Sequence, residues 1–197
     1  MNTLNSIGVF CGANPGLKPV YIEAAIALGQ ELGRRGLRLV YGGGSVGLMG
    51  ALARAAQEAG APVVGVIPTP LTAREVMGQP IGDMIVVDTM HARKAKMAAL
   101  SDGFIALPGG LGTMDELAEA LTWGQLGIHA KPVGLLNIDG YYDALLQWFD
   151  HGVDEGFIRP HHRKLVVEGT DPAALLEQLK AHVPPPGIVK WMDLNKA

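Results

Sequence analysis

The stretch Leu107-Pro108-Gly109-Gly110-Leu111-Gly112-Thr113-Met114-Asp115-Glu116 decides the fold. The apolar run Phe104-Ile105-Ala106-Leu107 enters it as a buried strand, and a helical pattern carrying Leu117, Leu121 and Trp123 leaves it. A strand, a tight glycine turn and a helix start form an anion-binding device. The first-turn N–H groups have no intrahelical partner, and the helix dipole adds partial positive charge there. Glycine lets the backbone approach a phosphate closely, because no Cβ intervenes. Thr113 is placed to cap the helix and to donate its hydroxyl to a phosphate oxygen. Glu116 follows about one helical turn after Thr113. It reads either as a capping-box acid bonded back to the Thr113 backbone or as a functional carboxylate beside the anion site.

The same grammar repeats upstream. Ser6 to Cys11 reads as the first strand and Gly12-Ala13-Asn14-Pro15-Gly16 as its turn. Ile22, Ala25, Ile26, Gly29 and Leu32 recur at helical spacing between Pro19 and Arg35, and Gly36 stops that helix. A second strand, Leu37 to Tyr41, leads into Gly42-Gly43-Gly44-Ser45-Val46-Gly47 and a helix over 48–59. Strands follow at 62–67, 84–87, 132–136 and 165–167, with helices at 90–101, 115–127, 141–155 and from Pro172, capped by Asp171, to about His182. Residues 68–83, with prolines at 68, 70 and 80, read as a loop with room for one helical turn, near the ligand. The alternation implies an α/β, Rossmann-like, doubly wound parallel sheet with helices on both faces in a single domain. That domain is expected over 1–183, with 184–197 as a surface tail. No internal repeat or low-complexity segment interrupts it.

Composition bounds the partners. The 197 residues carry 48% hydrophobic and 18% charged side chains with a net charge of −3, which suits one compact domain and supplies no basic field for nucleic acid or membrane. Any anion site must be local. The single cysteine, Cys11, excludes an intramolecular disulfide. The N-terminus lacks the features of a signal peptide, and no apolar run has membrane-spanning length. A cytoplasmic protein is expected.

The second strand ends in Tyr41 and glycines instead of an acid, which disfavours a dinucleotide site. His161 and His162 follow Pro160 in an expected loop without acids or cysteines at metal-ligand spacing, so no metal is expected. No Gly-x-Ser-x-Gly elbow supports serine hydrolase chemistry. Arg93 and Lys94 open the helix before the central strand. Being adjacent, they lie about 100° apart, so one is placed to reach a ligand while the other pairs with an acid. For an arbitrary Arg-Lys pair a solvated surface is the commoner meaning.

Pro108-Gly-Gly-Leu-Gly-Thr-Met-Asp-Glu116, together with Arg93-Lys94, strongly resembles the motifs of the LONELY GUY family of cytokinin riboside 5′-monophosphate phosphoribohydrolases, once described as lysine decarboxylases. The resemblance runs through Val9-Phe10-Cys11-Gly12, Tyr41-Gly-Gly-Gly44, Gly47-Leu-Met-Gly50, Gly65-Val-Ile-Pro68, Leu121-Thr-Trp-Gly-Gln-Leu-Gly127, Lys131 to Leu136 and Asp154 to Phe157. One departure is Ala13-Asn14, where the family usually has two serines; Asn14 supplies an amide instead. The resemblance implies a Rossmann-like fold, no cofactor, and a homodimer or larger assembly with sites near the subunit interface. It implies Arg93 and Glu116 as the catalytic pair. It implies substrate contacts from Glu75, Lys94, Thr122 and Gly43, and from Gly109, Gly110, Leu111, Gly112, Thr113, Met114 and Asp115 of the central turn. The implied reaction cleaves the N-glycosidic bond of adenine or N6-modified adenine nucleoside 5′-monophosphates, releasing the base and ribose 5-phosphate; AMP nucleosidase activity is a close variant. Two competing readings remain at this stage: a nucleotide-binding module without chemistry, which would not require Glu116, and a pyridoxal-phosphate decarboxylase, for which no Schiff-base lysine is marked.

Overall fold

A computed structural model describes residues 4–75, 79–186 and 188. The chain alternates β1 (Ser6–Phe10), α1 (Pro19–Arg34), β2 (Arg38–Tyr41), α2 (Gly47–Glu58), β3 (Val63–Pro68), α3 (Thr69–Glu75) and β4 (Asp83–Val87). It continues with α4 (Met90–Leu100), β5 (Gly103–Ala106), α5 (Leu111–Gln125) and β6 (Val133–Leu136). A 3₁₀ turn (Ile138–Gly140), α6 (Asp143–Asp154), α7 (Pro160–Arg163), β7 (Val166–Gly169) and α8 (Pro172–Ala181) complete it. The seven strands form one parallel sheet in the order β4-β3-β2-β1-β5-β6-β7.

That order follows from chain direction. The first four strands step outward from β1, and α4 then carries the chain back across the sheet to β5, on the other side of β1. The reversal leaves a crevice beyond the carboxyl ends of β1 and β5, where doubly wound sheets take their ligands. Strand side chains alternate between two cores, as the two-residue period requires. Ile7, Val9, Ile105 and Leu107 face α1, α2 and α8 on one side of the sheet. Phe10, Phe104, Ala106 and Val133 face Met97 of α4, Leu117 of α5 and Leu146 of α6 on the other. Burial on both faces explains the near-continuous apolar runs of these strands.

The structure corrects the expected outline in three places. Residues 69–75, expected within a loop, form the helix α3: Pro70 sits in its first turn, where a proline has no hydrogen bond to lose. His161 and His162 lie in the short helix α7 and not in a loop. The central helix begins at Leu111, four residues before the expected start at Asp115, so part of the glycine motif is already helical. Residues 182–186 are not helical, and most of the expected tail lies outside the described residues.

Candidate active site

The turns after β1 and β5 lie side by side at the switch point, joined by a hydrogen bond from the Gly12 N–H to the Pro108 carbonyl at 3.0 Å. They border a cavity of about 490 Å³. Residues 11–16 form one wall and Pro108, Gly109, Gly110, Gly112, Thr113, Asp115 and Glu116 another, with Arg93, Met90, Met49, Leu48, Tyr21 and Tyr141 completing it. The volume lies in the range of small-molecule sites.

Gly110 and Gly112 are explained by neither packing nor backbone conformation. A Cβ built on either meets nothing within 4 Å, and neither has a positive φ. Their missing side chains leave open space beside a helix start. Gly110 is the N-cap residue of α5 and contributes no side-chain cap, so the N–H groups of the first turn remain for a ligand. Thr113 was expected to cap this helix; it lies instead inside the first turn, buried on the cavity wall. A Cβ on Gly109 would strike its Oγ1, at 2.1 Å. The hydroxyl is thus packed against the turn by a residue that must be glycine.

Glu116 is not a capping-box acid. It accepts a hydrogen bond from Arg93 Nη1 at 2.6 Å, and both side chains are buried, 7% exposed for the arginine and 6% for the glutamate. Arg93 is held along its length: Nε donates to the Val66 carbonyl at 3.0 Å, and the guanidinium occupies the space a Cβ on Gly42 would take, 2.2 Å from Nη2. Thr89 starts its helix by accepting from the Ala92 N–H at 3.1 Å. The surface reading of the Arg-Lys pair therefore fails for Arg93. Burial pushes the Glu116 carboxyl above the ordinary glutamate value, and the Arg93 charge and hydrogen bond oppose that rise. The outcome is a sheltered carboxylate with one fixed donor, which suits it to accept a proton or face a developing positive charge. The Cys11 thiol beside it is pushed far up, first by burial and then by the Glu116 charge, and stays protonated.

Lys94 points elsewhere, as the 100° offset requires. Its ammonium pairs with Asp115 at 3.2 Å and Glu119 at 3.0 Å. Both helix-start cations thus meet acids. Of the other expected contacts, Leu111 is 90% exposed and Met114 37%, flanking the turn outside the cavity wall. Thr122 is exposed, nearly two turns beyond Asp115 on the same side of α5, away from the cavity. Gly43 is buried away from the cavity, where a Cβ would meet Met84 and Ile67. Glu75 ends α3, and its side chain lies outside the described residues, as do residues 76–78. The sequence reading missed Tyr21 and Tyr141; no local spacing marks them, since α1 and the turn after β6 deliver them from far along the chain. Among the described residues no cluster of His, Cys, Asp or Glu is arranged to hold a metal ion. No helix among them is long and apolar enough to cross a membrane.

This architecture has known counterparts. A family model described as "possible lysine decarboxylase" matches residues 49–179. A cytokinin riboside 5′-monophosphate phosphoribohydrolase of Arabidopsis thaliana is 55% identical over 178 residues, covering 90% of this chain and 82% of that one. The chain belongs to the LONELY GUY family. A probable cytokinin riboside 5′-monophosphate phosphoribohydrolase of Oryza sativa subsp. japonica is 54% identical over 178 residues, covering 90% of this chain and 72% of the relative. Among solved structures, the molybdenum cofactor carrier protein of Chlamydomonas reinhardtii superposes with a TM-score of 0.68 at 27% identity, covering 91% of this chain and all of that one. The molybdenum cofactor binding protein of Rippkaea orientalis gives 0.67 at 27%, over 91% of this chain and 97% of that one. The pairing of Lys94 in this LONELY GUY protein does not suit the older decarboxylase description. A Schiff-base lysine needs a depressed pKa. At Lys94, burial pulls the pKa down, but the hydrogen bonds and charges of Glu119 and Asp115 outweigh it and raise the ammonium above the usual lysine value.

Proposed function

We propose that this protein hydrolyses the N-glycosidic bond of adenosine 5′-monophosphates, including N6-modified cytokinin forms, to the free base and ribose 5-phosphate. One observation carries the reading: the buried Glu116–Arg93 pair stands on the wall of the same cavity as the open glycine turn. The turn receives the 5′-phosphate on the N–H groups of Gly110 to Thr113. Glu116 faces the ribose, where it stabilises the oxocarbenium-like centre at C1′ or takes a proton from the attacking water as oxygen bonds to C1′. The C1′–N bond breaks and the departing base takes up a proton. Arg93 fixes the position of the carboxylate and favours its ionised form. Names of relatives at above 50% identity point to the same chemistry. A binding module without chemistry needs the turn but gains nothing from a desolvated carboxylate, which costs free energy to bury.

The test is product analysis with AMP, isopentenyladenosine monophosphate and adenosine. Both nucleotides should yield free base, and adenosine should be cleaved far more slowly, since it forfeits the charge-assisted bonds of the turn. Equal rates for AMP and adenosine would remove the phosphate anchor from this reading. The exposed Leu111 and Met114 beside the site fit a homodimer with its sites near the subunit interface. Light scattering at micromolar concentration should show twice the monomer mass, and a monomer would refute the assembly.

A further inference from the structure

We infer that Tyr141 is a positioning residue that holds the phosphate turn in its anion-accepting orientation by fixing the Gly109 carbonyl; the inference rests on the phosphate reading of that turn. Three consecutive carbonyls entering α5 are each engaged. Leu107 O accepts from the Tyr142 hydroxyl at 2.6 Å, Pro108 O from the Gly12 N–H at 3.0 Å, and Gly109 O from the Tyr141 hydroxyl at 2.5 Å. In a planar trans peptide the carbonyl and the next N–H point in opposite directions. Fixing the Gly109 oxygen therefore fixes the direction of the Gly110 N–H. The Gly109–Gly110 peptide joins two residues without side chains, so no Cβ on either side opposes its rotation. A rotated peptide would present an oxygen in place of a donor and repel a phosphate.

The two tyrosines differ in kind. Tyr142 is 3% exposed and belongs to the core, whereas Tyr141 is 44% exposed and lines the cavity. Core packing accounts for the first and not for the second. The ring of Tyr141 stands edge-on to Tyr21 at 5.8 Å and to Tyr142 at 5.2 Å, which sets its hydroxyl without burying it. The backbone takes an uncommon path to deliver the pair. Asp139, at φ 53°, and Gly140, at φ 69°, are successive left-handed residues, a conformation that is costly for the aspartate. The corner is flanked by an exposed ion pair between Asp139 and Lys18 and held by Asn137, whose Oδ1 accepts from the Tyr142 N–H and whose Nδ2 donates to Asp143, both at 2.7 Å. A strained corner tied down on both sides, ending in a hydroxyl on the ligand turn, is what a positioning device requires.

Tyr141→Phe keeps both ring contacts and removes the hydroxyl. Inorganic phosphate affinity by calorimetry should fall about tenfold, and KM for AMP should rise by about the same factor. With kcat and the melting temperature close to wild type, that split marks lost uniform binding and not a general defect. The rise in melting temperature on adding phosphate is a second readout, and it remains valid in a less stable variant. Unchanged phosphate affinity in Tyr141→Phe, while the wild-type protein binds phosphate and cleaves AMP, overturns the inference alone. A fall in kcat at unchanged KM also overturns it. A wild-type protein that neither binds phosphate nor cleaves AMP overturns the functional reading and this inference with it.

Discussion

Two glycine-rich turns in this chain look alike in sequence and serve opposite ends. Both follow an apolar strand and open a helix. After β2, the glycines make room for protein: a Cβ on Gly47 would stand 2.2 Å from the Ala13 carbonyl oxygen, one on Gly50 2.1 Å from the Ser45 oxygen, and one on Gly42 2.2 Å from Arg93. After β5, a Cβ on Gly110 or Gly112 would meet no protein atom within 4 Å. Sheet position decides between them. β2 lies within the run β4-β3-β2-β1, where Arg93 of α4 and the loop after β1 pack against its turn, while β5 lies at the switch point, where its turn borders the cavity. The two turns are nevertheless partners. One leaves the space for Arg93, and the other opens the helix that brings Glu116 to it.

That division of labour is open to challenge, and the largest effect should come from Glu116→Gln. If the turn after β5 delivers a reacting carboxylate, turnover of AMP should fall by about 10²–10⁴-fold, the range for such groups, while calorimetric AMP affinity persists. Near-normal turnover in the folded variant would return Glu116 to a structural role. Next comes Gly112→Ala against Gly47→Ala. The first adds a methyl that meets no protein atom, so its melting temperature should hold or rise while phosphate affinity drops on the order of tenfold. The second forces alanine into φ 59° against the Ala13 carbonyl and should cost about 1–3 kcal/mol of stability, read as a fall in melting temperature that Gly112→Ala does not show. Equal phosphate binding by the wild-type protein and Gly112→Ala would erase the distinction between the turns.

The smallest effect, and the most discriminating, is expected from Gly42→Ala, which crowds the Arg93 guanidinium. In the proposed reaction Glu116 acts as a carboxylate, and its pKa lies above the ordinary glutamate value, because burial outweighs the Arg93 charge. Activity is therefore lost as pH falls through that raised value, earlier than for an exposed glutamate. Displacing Arg93 removes an influence that lowers the pKa, so the acid limb of kcat should move to higher pH with only a modest loss on the alkaline plateau. An unmoved limb would mean that Arg93 does not set the ionisation of Glu116.

The family motifs in the sequence named Arg93 and Glu116, and the 100° offset between neighbours separated Arg93 from Lys94. Their contact was not legible: they lie 23 residues apart on different helices, and either the capping box or a surface pair satisfied the local pattern. Thr113 misled for a related reason. A threonine after a glycine turn is an ordinary cap, but α5 begins earlier, at Leu111, on a glycine cap. Residues 69–75 hid a helix because proline marks a loop and a helix start equally well.

By itself the sequence determined the α/β alternation, the parallel sheet, the position of the glycine turn between a strand and a helix, and the family. Those rest on the period of apolar residues, on turn chemistry and on motif order, all of which act over a few residues at a time. Only the tertiary structure decided which glycine turn faces a cavity, that Arg93 spans from Val66 to Glu116, and that Tyr141 reaches Gly109. These depend on strand order, which is fixed by the sum of burial over both faces of the sheet, and no short window of sequence contains that sum.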